Sequence, residues 1–283
     1  MGTAALLANY FFKIKYAVIL HGLDFNLAVT GGRKKWLTKK ILYQAHKIIC
    51  ANSYTLTRVK KFAPSVAEKT SLINPGIEPF PDSPNLAPVF ALRRQYDLEN
   101  KLILLTVGRL IKRKGVDQVI KSLPKTLQSQ PNLVYVIVGN GPKLVAYQEL
   151  VAKLGLKNNI LFLTDVDDKE KLLWYYASDI FIMVSRDLGP DVEGFGIVYL
   201  EAGFAGKPVI AGRTGGVADA VANEVNGLLV DPEDLPQIGN AILRLAEFKG
   251  LRERLGKAGE ERAREQFNWQ GQARKMFNLI SNN

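Results

Sequence analysis

A chain of 283 residues that is 47% hydrophobic can bury one large core or two smaller ones. Its 38 basic and 27 acidic residues leave a net charge of +11, but no helix-turn-helix, zinc-finger or single-strand-binding signature accompanies that charge, so a nucleic-acid partner is not expected. A single cysteine, Cys50, excludes an intramolecular disulfide and a cysteine-based zinc cage, and fits a reducing cytoplasm.

Residues 3–12 predict an apolar helix and 16–20 a buried strand that ends at His21. Asn9, Lys13 and Lys15 interrupt the longest apolar run, so neither a membrane-spanning helix nor a signal peptide is expected. Over 33–45, Trp36, Leu37, Ile41 and Ala45 recur near helical spacing, with the lysines largely on the other side. A strand over 47–51 holds Cys50 as inert packing. A helix over 53–62 follows, capped by Asn52 or Ser53, and then a short strand over 72–74. Pro75, Pro79, Pro81, Pro84 and Pro88 punctuate the next segment, which reads as an irregular linker between domains, assigned to 81–90.

Beyond it the rhythm becomes regular. Apolar strands over 102–107, 134–138, 160–163, 180–184 and 208–211 alternate with helices over 115–128, 142–154, 170–177 and 195–205. That alternation implies right-handed βαβ units, a parallel sheet and one Rossmann-like domain over 91–266, with its ligand outside the carboxyl ends of the strands. A last helix over 267–280 carries Trp269, Met276 and Phe277.

The segment 185–201 carries the most chemistry. Glu193 and Glu201 stand eight residues apart, with Gly194-Phe195-Gly196 between them opening a helix. A helix start offers unpaired N–H groups and partial positive charge to phosphate, and glycines let the backbone approach a ligand. Glu201, one turn into the helix, is placed to accept hydrogen bonds from sugar hydroxyls. Upstream, Arg109 and Lys114 follow the first strand of this domain, a planar bidentate cation and a point cation suited to clamping a diphosphate. The alternative there is a solvated basic loop, Lys112-Arg113-Lys114. Gly139-Asn140-Gly141 opens like a dinucleotide loop, but Pro142 and Lys143 replace its remainder, and NAD is not expected.

In their order along the chain these segments resemble retaining glycosyltransferases of the GT-B fold, family four (glycosyl transferases group 1). The resemblance rests on Glu193 to Glu201, Val107-Gly108-Arg109-Leu110, Lys112 to Gly115 and Val138-Gly139-Asn140-Gly141-Pro142. It continues through Gly206-Lys207-Pro208-Val209-Ile210-Ala211, Gly215-Gly216 and a late turn at Gly227-Leu228-Leu229-Val230. Weaker matches, in order, are His21-Gly22, Ala51-Asn52-Ser53 and Asn74-Pro75-Gly76-Ile77.

The resemblance implies an α/β, GT-B-like fold: a Rossmann-type donor domain plus an incomplete amino-terminal α/β domain over 1–80, to which the helix within 267–283 crosses back. It implies transfer of a hexose, with retention, from a nucleotide diphosphate sugar to a hydroxyl acceptor that is a glycan or lipid-linked. No further cofactor and no metal are implied. His21 is expected beside the transferred sugar, Arg109 and Lys114 on the diphosphate, and Glu193 near the sugar. Gly108, Gly139, Gly141, Gly194, Phe195 and Gly196 are expected at the donor, with Val166 reading the base and Glu201 holding the ribose. Phe195 has the alternative of simple core packing. The competing fold is a single dehydrogenase-like sheet.

Residues 1–80 supply fewer strand–helix units than the first domain of that family. A second polypeptide completing the domain is therefore one expectation; a non-catalytic nucleotide-sugar-binding subunit or a truncated, inactive remnant is the alternative. Five cations surround Trp36 and Leu37 over 33–40, so peripheral contact with anionic lipid at the inner face of the membrane is weighed against an ordinary helix with solvated lysines.

Overall fold

The computed structural model describes residues 2–78, 80 and 85–281. The first domain is a three-stranded parallel sheet in the order β1 (Ala17–Leu20), β2 (Lys47–Cys50), β3 (Thr70–Leu72). β2 is central, and its Ile48, Ile49 and Cys50 are fully buried, as an apolar run paired on both edges should be. Burial pushes the Cys50 thiol up to about 12, with Asp24 adding to the rise and Lys60 opposing it, so the thiol is unreactive.

Helices α1 (Gly2–Phe12), α2 (Leu23–Ala28), α3 (Gly32–Gln44) and α4 (Ser53–Phe62) surround this sheet. Asn52 is the cap of α4: its side chain accepts from the Thr55 N–H at 2.8 Å. Leu20, Phe25, Leu42, Ile48, Val59 and Val66 form the small core. Ile14, Ile19, Leu23 and Leu72 stay exposed, as do Leu7, Tyr10, Phe11 and Phe12 of α1, which has no buried residue.

The second domain is a six-stranded, all-parallel sheet. Its strands are β4 (Leu102–Val107), β5 (Leu133–Val138), β6 (Ile160–Leu163), β7 (Ile180–Met183), β8 (Val209–Gly212) and β9 (Gly227–Val230). They lie in the spatial order β6-β5-β4-β7-β8-β9, so counted from β4 as one the order is 3-2-1-4-5-6, that of a doubly wound nucleotide-binding sheet. The order reverses between β4 and β7, which opens a crevice at their carboxyl ends. Two apolar layers, one on each face, bury Trp174, Tyr175, Phe181 and Phe204 on one side and Val119, Leu123, Tyr135 and Ile242 on the other. α6 (Val116–Ser129), α7 (Leu144–Lys153), α8 (Asp168–Ala177) and α9 (Ile197–Phe204) are the crossovers, and α10 (Val217–Ala220) follows β8.

Three sequence expectations change. Residues 227–230 are not a turn but the edge strand β9, paired with β8. The proline-rich stretch does hold a helix: α5 (Ala87–Gln95) starts with Pro88 in its first turn, where the missing N–H costs nothing. The linker prolines Pro79, Pro81 and Pro84 lie outside the described residues. After β9 come two helices that the periodicity reading passed over, α11 (Leu235–Glu247) and α12 (Lys249–Gln266). Gly203 of α9 and Gly259 of α12 face each other so closely that a Cβ on Gly203 would lie 3.0 Å from the Gly259 carbonyl.

The chain then returns to the first domain. Ile77 N–H donates to the Phe267 carbonyl at 2.8 Å, and Trp269 N–H to the Ile77 carbonyl at 3.3 Å. α13 (Trp269–Ser281) continues from there with Trp269, Phe277 and Ile280 exposed.

Candidate functional site

The site is assembled from strand ends. β4 runs into Gly108, whose φ of 153° requires glycine, and a Cβ there would meet open space. The loop then tightens into a 3₁₀ turn at Lys112–Lys114 and enters α6 through Gly115 (φ 70°). A Cβ on Gly115 would lie 2.0 Å from the Val184 carbonyl, so this turn is pressed against the end of β7. Gly139 and Gly141 serve the same close approach between the β4 and β5 loops. A Cβ on Gly139 would lie 2.1 Å from Gly108 O, and one on Gly141 2.5 Å from Leu110 O.

Arg186, buried on the β7 side, fastens the 3₁₀ turn by donating to the Lys112 carbonyl at 3.1 Å. Its guanidinium is itself gripped by both Asp117 oxygens at 2.8 and 2.9 Å. These contacts, both made by Nη2, are charge-assisted and tie the turn to the sheet end.

Glu193 is the centre of charge. It is only 6% exposed, and one oxygen accepts from Lys114 Nζ at 2.7 Å, Arg113 at 2.5 Å and Ser185 Oγ at 3.0 Å. Arg113 also pairs with Asp191 at 2.9 Å. Burial pushes the Glu193 carboxyl up, but the Lys114 and Arg113 charges and the hydrogen bonds from Lys114 and Ser185 outweigh it, holding the group below the usual carboxylate range. The carboxylate therefore stays ionised and holds two cations at the switch point.

Across from it lies the first domain. A cavity of about 330 Å³ is lined by His21, Ala51 and Pro75 on one side and by Lys114, Glu193 and residues 194–198 on the other. The His21 loop is held by Asp24, which accepts from the His21 and Gly22 N–H groups at 3.0 and 2.8 Å, leaving the exposed imidazole unoccupied by that network. The loops touch: a Cβ on Gly194 would lie 2.8 Å from the His21 carbonyl. Gly196, with φ 82°, is the cap of α9.

His21, Lys114, Glu193, Gly194, Phe195 and Gly196 thus share one cavity, whereas Arg109, Glu201, Val166, Gly108, Gly139 and Gly141 stand outside its lining. Phe195 is also buried core, its ring 5.5 Å from that of Phe267. Glu201 accepts a 2.5 Å hydrogen bond from the Tyr175 hydroxyl. Burial, and then the Glu201 charge, raise the Tyr175 phenol well above its ordinary value, so it stays a donor. Arg109 is exposed and makes no ion pair among the described residues, in contrast to the paired Lys114. Val166 packs, half-buried, at the edge of one apolar layer.

Reading the sequence alone missed Arg113, Ser185, Arg186 and Tyr175. Arg113 was in view within the basic run, but three adjacent cations carry no sign of which one turns inward. A second, polar cavity of about 520 Å³, between Arg186, Arg213 and Glu233, contains none of the sequence candidates.

Two parallel α/β domains facing each other across strand-end loops, one with the doubly wound order, define a GT-B fold. The sequence profile described as glycosyl transferases group 1 matches residues 90–262. The chain is 30% identical over 246 residues to a GDP-mannose-dependent alpha-(1-6)-phosphatidylinositol monomannoside mannosyltransferase of Mycolicibacterium smegmatis, an alignment covering 86% of this chain and 64% of that one. A protein of the same description from Mycobacterium tuberculosis is 32% identical over 233 residues, covering 81% and 60%. The chain therefore spans less than two thirds of the length of these relatives. Among solved structures, Anabaena HepE in complex with UDP superimposes with a TM-score of 0.88 at 21% identity, over 100% of this chain and 76% of that one. Sucrose-phosphate synthase from Thermosynechococcus elongatus gives a TM-score of 0.78 at 25% identity, over 99% and 70%. The chain belongs to the glycosyl transferases group 1 family.

Proposed function

We propose that this chain carries the donor site of a retaining glycosyltransferase that moves a hexose from a nucleotide diphosphate sugar to a hydroxyl acceptor. The observation that supports it best is the Lys114–Glu193–Arg113 cluster at the switch point, sharing a cavity with His21 of the facing domain. In this reading Arg109 and Lys114 receive the diphosphate, and the charge they neutralise grows as the leaving group departs. Glu193 holds Lys114 and Arg113 ready, and Gly194 and Gly196 let the backbone approach the donor. Val166 lies at the base, Glu201 at the ribose and His21 beside the sugar. The arriving hydroxyl attacks the face from which the diphosphate leaves, and the departing phosphate oxygen takes its proton. Neither a metal nor a glycosidase-type carboxylate pair enters this route.

The mannosyltransferase relatives make GDP-mannose the first donor to test and a lipid-linked glycan the first acceptor class. Titration of GDP-mannose and UDP-glucose into the purified chain, followed by turnover with and without chelator, tests the reading. Failure of both nucleotide sugars to bind would end it, and loss of turnover on chelation would end metal independence.

Two partners belong to the same proposal. The exposed Ile14, Ile19, Leu23 and Leu72 favour a further polypeptide covering the small sheet. The basic and aromatic side chains of α1 and α3 favour reversible contact with anionic lipid at the cytoplasmic face. No helix among the described residues is long and apolar enough to cross a membrane.

A further inference from the structure

Away from the donor contacts, a polar joint between the two domains converges on Asp219 of α10. Its carboxylate accepts from the Ser53 N–H at 2.6 Å, the Ser53 hydroxyl at 2.5 Å and the Asn74 side-chain amide at 3.1 Å. All three donors belong to the first domain. Ser53 opens α4, so its amide is one of the free N–H groups at the positive end of that helix, where a carboxylate is favoured. From the second domain, Arg262 donates to the Asp219 carbonyl at 2.7 Å and ties α10 to α12.

The joint leads to the cavity on both sides. Next to Ser53, Asn52 donates to the His21 carbonyl at 3.0 Å. Three residues before Asp219, Gly216 N–H donates to the Glu193 carbonyl at 3.0 Å. A Cβ on Gly216 would lie 1.9 Å from Gly194 O and 2.6 Å from Asn52 Cβ, so the Gly215-Gly216 loop is wedged between the two. Domains joined by a polar interface move relative to each other unless something fastens them. Three charge-assisted bonds to one carboxylate, made one residue along the chain from the His21 contact and three from the Glu193 contact, are such a fastening.

We propose that Asp219 is a positioning residue: it latches the His21 loop to the Glu193 loop and so sets the width of the cleft. The geometric claim stands by itself, and its kinetic consequence rests on the transferase reading above.

The test uses the full chain with spin labels at Lys60→Cys and Lys157→Cys, two exposed positions in different domains; the buried Cys50 does not label. Pulsed dipolar spectroscopy should give a narrow distance distribution in the otherwise unchanged chain and a broad one in Asp219→Ala. Asp219→Asn keeps one acceptor oxygen but turns an NH₂ toward the donors, and should broaden it too. Ser53→Ala removes one of the three bonds, leaves the helix amide in place, and should broaden it less; it decides the matter if Asp219→Ala does not fold. An unchanged distribution in all the folded variants overturns the latch. In the kinetic arm, nucleotide affinity should stay unchanged while turnover falls by about 100-fold, the effect of an ångström-scale misplacement. Equal loss of nucleotide affinity would instead make Asp219 part of the donor site and overturn its positioning role. Absence of turnover in the unsubstituted chain counts against the transferase reading alone, because the distance measurement still decides the latch.

Discussion

Lys114 Nζ lies 2.7 Å from Glu193 Oε2, although 79 residues separate them in the chain. The contact joins the loop after β4 to the loop after β7, the two strands between which the sheet order reverses. It gives the crevice a fixed pair of charges before any ligand arrives. With Arg113 and Asp191 included, the cluster is two cations against two carboxylates. Substitutions on its two sides should therefore differ in sign of charge but share a loss of stability.

Glu193→Ala should cost about 3 kcal/mol, because it strands Lys114 without its counter-charge and leaves Arg113 only Asp191, in a largely buried setting. Urea unfolding of the variant against the unsubstituted chain measures this. A loss below about 1 kcal/mol, the ordinary value for an exposed pair, would show that water screens the cluster.

Arg109→Ala and Lys114→Ala should both lower turnover by about 10²–10³-fold, as expected when a donor to a developing anion is removed. They should differ in stability. Arg109 is exposed and unpaired among the described residues, so its loss should stay within about 0.5 kcal/mol. Lys114→Ala breaks the Glu193 pair and should be visibly destabilised. Steady-state kinetics alongside thermal melts separates the two, and full turnover in both variants would remove these cations from the chemistry.

Glu201→Ala should weaken binding of the nucleoside diphosphate by about tenfold or more, as hydrogen bonds to a charged acceptor are worth about 1.5–3 kcal/mol. A 2′,3′-dideoxy analogue lacks the hydroxyls assigned to Glu201 and should bind the variant and the parent alike. Calorimetry with both nucleotides makes the comparison. Equal weakening for the two would mean that Glu201 acts through Tyr175 and the fold instead of through the ribose.

Alkaline pH should stabilise the second domain through Lys207. Its ammonium is largely withdrawn from water and donates to the Tyr176 carbonyl at 2.9 Å. Burial lowers it from 10.5 to about 8, Asp179 opposing the fall and Arg93 adding to it. In the unfolded chain the lysine keeps its proton up to about pH 10.5, so between pH 8 and 10.5 the unfolded state binds more protons. Stability from this group then rises with pH across that window, by up to about 3 kcal/mol. Lys207→Met should flatten the rise in unfolding midpoint between pH 8 and 10; an unaltered slope would place the lysine in water. Glu193 contributes with the same sign at lower pH: its carboxyl is held low, so its contribution is present above the ordinary carboxylate range and disappears as acid protonates it.

Most of this architecture was readable because β4, β5 and β7 are buried on both faces and so appear as apolar runs, interrupted only by Thr106 in β4. β9 was not, since four residues opening with glycine look like a turn until β8 is alongside. Prolines hid α5, where Pro88 falls at the one place a helix tolerates it. At the site, glycines and the two glutamates stood out because few folds need them at that spacing. The inward turn of Arg113, the Tyr175–Glu201 bond and the grip of Asp219 on Ser53 join residues 80, 26 and 166 positions apart, and no local pattern records them.

The surface of α1 and α3 yields the last prediction. Tyr10, Phe11 and Phe12 are exposed to 68–74%, and Trp36 to 59% with Lys40 Nζ 4.2 Å from its ring centroid. Lys13, Lys15, Arg33, Lys34, Lys35 and Lys39 belong to the same stretch of chain, and no acidic residue lies between Lys13 and Lys40 except Asp24. A groove of about 570 Å³ between the two helices is lined by Leu6, Leu7, Tyr10, Lys13, Lys40 and Tyr43. Aromatic rings sit at the boundary between headgroups and acyl chains, and each nearby cation adds about 1 kcal/mol on an anionic surface. Adsorption should therefore need both kinds of side chain. Co-sedimentation with vesicles rich in anionic lipid should carry the protein down at low salt and release it at high salt. Lys34→Glu with Lys35→Glu should abolish the low-salt binding, and Phe11→Ser with Phe12→Ser should weaken it without changing its salt dependence. Protein left in the supernatant at low salt, or equal binding to neutral vesicles, would mean that these lysines only solvate a helix whose aromatic neighbours are covered by protein.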